Sequence, residues 1–308
     1  MIICCGEALI DMLPRQLPSG EDVFYPVAGG AIFNTAIALG RLGLDAGMVS
    51  GISSDMFGDQ LIEALQNSKV DTQYCVRIDQ PTTLAFVKLT NGQAQYSFFD
   101  ENSAGRLLSA DKVPSFSQPI SAFHFGAISL IPEPCGSAYE ALLTDNAPHS
   151  VISLDPNIRP SFITDANSHR ARINRMISKA DIVKVSDEDL DWIIEGGDQY
   201  SAIDRWLQEG VKVVLMTEGS AGVTAYNKAG KCHQSAKKVE VVDTIGAGDT
   251  FNAGFLAGLE EQGCLTKTAL ADISNDSLLH ALNMANNVAA YTVSQAGAVP
   301  PWREQIAS

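Results

Sequence analysis

The sequence predicts an α/β fold: a mainly parallel sheet with helices on both faces, three layers in all, and a small β lid standing off it. Three observations carry this. From about residue 120, short apolar runs alternate with segments of helical apolar spacing, the pattern of successive βα units. Two glycine turns, Gly29-Gly30 and Gly246-Ala247-Gly248, each open a helix. Between them, Thr82 to Phe99 changes to period-two alternation divided by Asn91-Gly92, a strong short-range hairpin signal. No composition break, linker, internal repeat or low-complexity segment appears. One domain over residues 1–308 is therefore expected, with lid segments at about 12–27 and 82–103 inserted in it.

At 308 residues the chain can bury a substantial core. Its net charge of −15 argues against nucleic acid or an anionic membrane as partner. An anionic ligand must then be held by local groups against a repulsive global field. The six cysteines form neither a C-x-x-C pair nor a disulfide spacing, and the five histidines form no zinc pattern. No signal peptide and no apolar stretch of spanning length is visible, so a cytoplasmic protein with reduced thiols is expected.

Ile2-Ile3-Cys4-Cys5 reads as a first strand. Asp11 follows as an isolated carboxylate in an apolar setting, and Pro14 to Pro26 is polar and flap-like. Ala28-Gly29-Gly30-Ala31 opens a helix whose apolar positions are Ile32, Phe33, Ala36, Ile37, Leu39 and Leu42, ended by Gly43. Asn34 lies on its first turn. Asp11, the glycine pair and Asn34 offer an acceptor, bare backbone and an amide in one unit, a combination suited to a polyhydroxylated ligand. Met48 to Ile52 reads as a strand, Asp59 to Gln66 as a helix, and the 82–99 hairpin as a water-excluding lid or an oligomer edge.

Ile120 to Ile128 and Val151 to Leu154 read as strands around a helix at Cys135 to Leu143. The second strand runs into Asp155-Pro156-Asn157-Ile158-Arg159. Ligands of such sheets lie beyond the carboxyl ends of the strands, which places Asn157 and Arg159 towards one. A helix at 169–179 and a strand at 182–185 lead to Ser186-Asp187-Glu188-Asp189, where an N-terminal cap accounts for Ser186 and Asp189. Val211 to Met216 is a strand, and Val223 to Tyr226 with Lys231 to Ser235 a hairpin. A last helix at about 277–293 carries Ala281, Ala285, Ala289 and Ala290, small enough to lie against another helix or a flat ring.

Ahead of that helix, Val239-Glu240-Val241-Val242 reads as a strand entering the turn Asp243-Thr244-Ile245-Gly246-Ala247-Gly248-Asp249. Free amides at a helix start, with the helix dipole and glycines lacking Cβ, form an anion cradle. Asp249 opposes an anion there. As an N-terminal residue it could simply complement the dipole, but phosphoryl transfer to a hydroxyl needs a base beside its phosphate site. The P-loop, the dinucleotide fingerprint and the protein-kinase motifs are absent.

Gly29-Gly30 with Asn34, and the run from Asp243 to Asp249, resemble the two signatures of the PfkB/ribokinase family of sugar kinases. The resemblance spans Gly6-Glu7-Ala8 to Pro301-Trp302. It is strongest to bacterial fructokinases through Gly6 to Asp11, Thr83 to Val87 and Asp155 to Arg159. It implies a ribokinase-like fold and ATP-dependent phosphorylation of a primary hydroxyl of a small sugar, fructose first among them. Asp249 would be the base, with the Gly246, Ala247 and Gly248 amides stabilising the transferred group. Asp11, Gly29, Gly30 and Asn34 would hold the sugar. Asn157, Arg159, Ser186, Asp189, Thr217, Gly219, Thr244 and Asn286 would serve the nucleotide and its phosphates. Magnesium is implied with ATP, although Ser186 and Asp189 replace the family's N-x-x-E pattern. Asp243 and the Ile245 carbonyl would hold a monovalent cation, potassium, and a homodimer through the lid is implied as well. The segment Phe98 to Gly105 has acids where many fructokinases carry an arginine. That leaves ribose or 2-keto-3-deoxygluconate as alternative substrates, and a non-catalytic sugar sensor as an alternative function.

Overall fold

The computed structural model describes residues 1–90 and 93–306. The chain begins with β1 (Ile2–Cys5), buried on both faces as an interior parallel strand must be. Gly6 and Glu7 lead to the hairpin β2 (Leu9–Gln16) and β3 (Asp22–Gly29), then to α1 (Ala31–Arg41). β4 (Ala46–Val49) and β5 (Gly51–Ser53) precede α2 (Met56–Asn67), which the Asp55 side chain caps. The short strands β6 (Val70–Asp71) and β7 (Val76–Ile78) come before β8 (Leu84–Thr90) and β9 (Gln93–Phe99).

Regular alternation then sets in. β10 (Ala122–Gly126), α3 (Cys135–Asn146), β11 (Val151–Asp155), α4 (Ala166–Ile177) and β12 (Ile182–Ser186) follow one another. α5 (Asp187–Ile194), α6 (Gln199–Glu209) and β13 (Val213–Thr217) continue the series to the hairpin β14 (Val223–Asn227) and β15 (Gly230–Gln234). α7 (Ala247–Glu261), α8 (Lys267–Ala271), α9 (Asn275–Val293) and α10 (Arg303–Ile306) complete the chain.

The main sheet runs β15-β14-β13-β12-β11-β10-β1-β4-β6, parallel except for the β14–β15 edge. Alternation along its strands divides the core. Ile2 and Cys4 face the side that α1, α2, α7 and α9 cover, and Ile3 and Cys5 face the side covered by α3 to α6. α7 and α9 touch through small residues. A Cβ on Gly254 would stand 2.7 Å from Ala285 Cα, and one on Gly258 2.6 Å from Ala281 Cα. Ala281 and Ala285 thus serve helix packing.

A second sheet, β3-β2-β8-β9, joins the 14–26 segment to the 84–99 hairpin. Register pairs Ile10 with Leu84 and Leu84 with Phe99. The first of these strands starts at Leu9, before the expected 12, because Leu9 and Ile10 are themselves buried. Phe24, Tyr25 and Phe99 stay exposed on it. The turn expected at Asn91-Gly92 lies outside the described residues.

Elsewhere the structure departs from sequence expectation in identifiable ways. The strand expected over Met48 to Ile52 divides at Ser50, whose carbonyl accepts the Val76 amide (2.8 Å), so that β5 pairs with β7 in a separate sheet. The strand expected over Ile120 to Ile128 is shorter, since Gly126 and Ala127 turn the chain (Ala127 φ 60°). Val239 to Val242 form no strand. The Val242 and Asp243 amides donate instead to Val293 O at the end of α9 (2.8 and 3.2 Å). α6 is not among the elements predicted from sequence, although Ala202, Ile203, Trp206 and Leu207 recur at helical spacing behind the Asp198 cap.

Candidate active site

α1 begins where β3 ends, and its N-cap is Gly30, in a left-handed conformation (φ 109°) with no side chain to cap the helix. Glu7 supplies the cap from a distance: its Oε1 accepts from the Ala31 and Ile32 amides at 2.9 and 3.4 Å. Gly29 lies against Asp11 so closely that a Cβ there would stand 2.3 Å from Asp11 Oδ2. One turn into α1, Asn34 Nδ2 donates to Asp249 Oδ2 (2.9 Å), and Thr35 Oγ1 donates to the Asp249 carbonyl (3.1 Å). The residues singled out from the two ends of the chain therefore meet.

Both carboxylates facing this shelf hold protons more tightly than usual. Burial, with the Asp249 charge, pushes Asp11 up to about 6. Asp249, 8% exposed, is raised to about 6 by burial. The Asn34 hydrogen bond works against that rise and the Asp155 charge with it, while Lys184 and Arg159 lower it.

The cradle adjoins Asp249. Gly246 caps α7 in the left-handed region (φ 78°), where a Cβ would strike Ala298 Cβ at 2.7 Å. Asp243 fixes the turn by accepting the Ile245 amide on Oδ1 and the Gly297 amide on Oδ2, both at 3.0 Å. The Ala247 amide donates to Thr244 O (3.3 Å), and the first helical bond is Thr250 N to Gly246 O (2.9 Å). Of the expected cradle, the Ala247 amide is thus engaged within the turn, whereas the Gly248 amide, joined by that of Asp249, precedes the first helical bond, as free first-turn donors do.

This turn opens on a cleft of about 840 Å³. Thr244, Ala247 and Gly248 line its floor, and Ser186, Thr217 and Gly219 the side formed by the ends of β12 and β13. Val239, Val241, Phe251, Ala289, Ala290 and Val293 make an apolar wall. Asn286 also faces the cleft, with Nδ2 donating to Ser235 O (3.0 Å).

Other expected residues stand further back. Ser186 Oγ accepts the Asp189 amide (3.0 Å) as the cap of α5, and Asp189 Oδ1 accepts the Ile158 amide (3.0 Å) behind the cleft wall. Asn157 adopts a left-handed conformation (φ 44°) in that loop. Arg159 is exposed and donates to Ile158 O (2.9 Å), yet it is close enough for its charge to act on Asp249.

The sequence reading missed a buried polar group beneath the cradle. Lys184 Nζ lies 3.0 Å from Asp155 Oδ2, which Asn252 Nδ2 also bonds (2.7 Å). A Cβ on Gly248 would stand 3.2 Å from Lys184 Nζ, so the ammonium faces the cleft at the cradle. Burial pulls Lys184 down, but Asp155, Asp189 and Asp249 outweigh it and hold it above the ordinary lysine value. His124 Nδ1 pairs with Ser153 Oγ (3.0 Å); burial drives this ring down to about 4, so it is neutral near pH 7. A lysine inside the apolar run Ile182-Val183-Lys184-Val185 was the available signal, since a buried charge requires a partner.

An amide turn and a lysine face one cleft, and the buried Asp249 adjoins that turn, an arrangement suited to phosphoryl transfer. The chain belongs to the pfkB family of carbohydrate kinases, whose profile matches residues 1–305. It is 54% identical over 278 residues to a fructokinase of Rhizobium leguminosarum bv. trifolii, covering 90% of this chain and 85% of that protein. Its structure is similar to that of a fructokinase with bound ATP from Xylella fastidiosa (TM-score 0.91, 30% identity, 99% of this chain and 96% of the other). A Vibrio cholerae O395 fructokinase variant in fructose-, ADP- and potassium-bound form superposes with a TM-score of 0.83 at 25% identity, over 96% and 93% of the two chains.

Proposed function

We propose that this kinase transfers the terminal phosphoryl group of ATP to a primary hydroxyl of fructose. The observation that carries the reading is Asp249, buried and held by Asn34 beside the free amides of a turn that opens on a nucleotide-sized cleft. The Rhizobium, Xylella and Vibrio relatives support fructose and ATP as the substrate pair.

Asp11 and Asn34 orient the sugar hydroxyls over the shelf formed by Gly29 and Gly30. Asp249 takes the proton as the sugar oxygen bonds to phosphorus and the bond to the ADP oxygen breaks. The Gly248 and Asp249 amides and the Lys184 ammonium face the charge on the transferred group. Apolar Ala289, Ala290 and Val293 suit the base of the nucleotide, with Thr217, Gly219 and Thr244 along its ribose and phosphates. Asn157 and Arg159 approach from the β11 loop.

Among the described residues no cluster of three or more His, Cys, Asp or Glu side chains could hold a bare metal ion, so magnesium fits as a companion of the nucleotide. Asp155 Oδ1, buried with no hydrogen-bond partner among the described residues, and Asp189 behind Ser186 are the carboxylates on that side. Bound magnesium would screen the phosphate charges. Asp243 spends one lone pair of each oxygen on an amide, and the remaining ones, with the Ile245 carbonyl, fit a monovalent cation behind the cradle.

The test is ADP release from Mg-ATP, with potassium, over fructose, ribose, glucose, 2-keto-3-deoxygluconate and adenosine. Fructose is expected to give a kcat/KM at least tenfold above each of the others. Preference for another sugar would overturn the substrate, and no sugar-dependent release, with fructose still raising Tm, would overturn the chemistry in favour of a sensor. A second expectation concerns the shelf. In Gly29→Ala the new methyl meets Asp11 Oδ2 at 2.3 Å and must displace it. The sugar KM should rise about tenfold or more while the ATP KM stays within twofold; an unchanged sugar KM would remove Asp11 from the sugar site.

A further inference from the structure

We propose that Glu7 is a positioning residue for the general base: through the start of α1 it holds Asn34 and Thr35 on Asp249, and its charge state is linked to that of Asp249. The inference rests on Asp249 being the base.

The geometry is a short relay. Glu7 Oε1 accepts the Ala31 and Ile32 amides at 2.9 and 3.4 Å, the orphan donors of a helix whose own N-cap is a glycine. Three residues beyond Ala31, Asn34 donates to Asp249 Oδ2 (2.9 Å), and the Thr35 hydroxyl lies between Ala31 O (3.0 Å) and the Asp249 carbonyl (3.1 Å). Gly30 lets the helix settle on Glu7, since a Cβ there would stand 3.0 Å from Glu7 O and 3.2 Å from Glu7 Cγ. Moving Glu7 therefore moves the first turn of α1, and with it the two groups that aim the base.

Glu7 is an unusual cap, because it is 8% exposed and its Oε2 has no hydrogen-bond partner among the described residues. A cavity of about 20 Å³ adjoins it, room for roughly one water. Across that cavity stand Asp100, paired with Arg106 at 3.5 Å, and Cys135. From α3, Tyr139 OH donates to Gly6 O (3.1 Å), and from α7, Asp249 is the charge that Glu7 faces. Burial pushes Glu7 up to about 7, the amide bonds oppose this and the Asp249 charge adds to it. Glu7 and Asp249 thus titrate in neighbouring ranges, beside Asp11, which the Asp249 charge also raises. The ionised cap binds the α1 amides and dipole best, so full activity requires both protons to be gone.

The experiment compares kcat/KM against pH for the wild type, Glu7→Gln and Glu7→Ala, with Asp249→Asn alongside. In the wild type the acid limb should be steep, reaching a slope above one in a logarithmic plot below about pH 6. Glu7→Gln keeps an acceptor for the amides and loses the titration. Its limb should lose one proton, leaving those of Asp11 and Asp249, with its midpoint lower by up to about one unit, and kcat at pH 8 should fall by less than about fivefold. Glu7→Ala should lose about tenfold to hundredfold in kcat, the scale of a small misplacement of a reacting group, with the ATP KM unchanged. A limb of unchanged shape and midpoint in Glu7→Gln overturns the linkage, and wild-type kcat in Glu7→Ala overturns the positioning. Either result with an inactive Asp249→Asn leaves the base in place, whereas an active Asp249→Asn removes the base itself.

Discussion

Asp249→Asn is expected to fold and to bind ATP as the wild type does, with kcat lower by about 10²–10⁴-fold, the range for loss of a general base. The amide keeps the shape of the carboxylate and still offers an oxygen to Asn34 Nδ2, now 2.9 Å from Asp249 Oδ2. What it loses is the capacity to take a proton. Stability should not fall with it. Asp249 binds its proton more tightly in the folded chain, about 6 against an ordinary 3.8, because burial disfavours the charge. Its favourable contribution is thus full below about pH 4 and is lost as pH rises through about 6. Near neutrality an uncharged asparagine escapes that cost, so Tm should be unchanged or higher. A kcat within tenfold of wild type would show that another group accepts the proton.

Lys184→Met is expected to reduce kcat/KM by about 10²–10³-fold, the scale for removing one preorganised donor from a developing charge. It should also lower stability, by about 3–5 kcal/mol, because Asp155 is left buried without its cation. The double variant Lys184→Met, Asp155→Asn separates the two effects. Pairing an uncharged amide with methionine should recover most of the stability and little of the activity, measured by urea unfolding and steady-state kinetics. Recovery of activity together with stability would mean that Lys184 only neutralises Asp155 and does not serve the phosphates.

The parts of this molecule legible in its sequence are those written in local pattern. Gly29-Gly30 and Gly246 stand where left-handed backbone or close approach leaves no room for a side chain, and the βα alternation follows from apolar spacing. Asn34 and Asp249 are each singled out by the resemblance, but their 2.9 Å hydrogen bond depends on α1 and α7 lying side by side, which no local pattern encodes. Val239 to Val242 reads as a strand because valines favour strands, yet the Val242 amide is taken by Val293 O, and Val239 and Val241 face the cleft. Asp155, Lys184 and Asn252 come from three elements and are joined only by the fold, and Glu7 reaches a helix 24 residues away. Ser186 and Asp189 illustrate the reverse case: the cap read from their spacing is present at 3.0 Å, while the cleft that Ser186 borders belongs to tertiary structure.

The most direct measurement of the central claim is the rate of phosphoryl transfer from ATP to fructose in a single turnover, followed by rapid quench from pH 5 to pH 8 in the wild type and in Asp249→Asn. The wild-type rate should fall as pH drops through about 7, where Glu7 takes its proton, and more steeply below about 6, where Asp249 does, while the variant should be slow and lack that steep part. The same acid limb in both proteins would contradict Asp249 as the base that takes the sugar's proton.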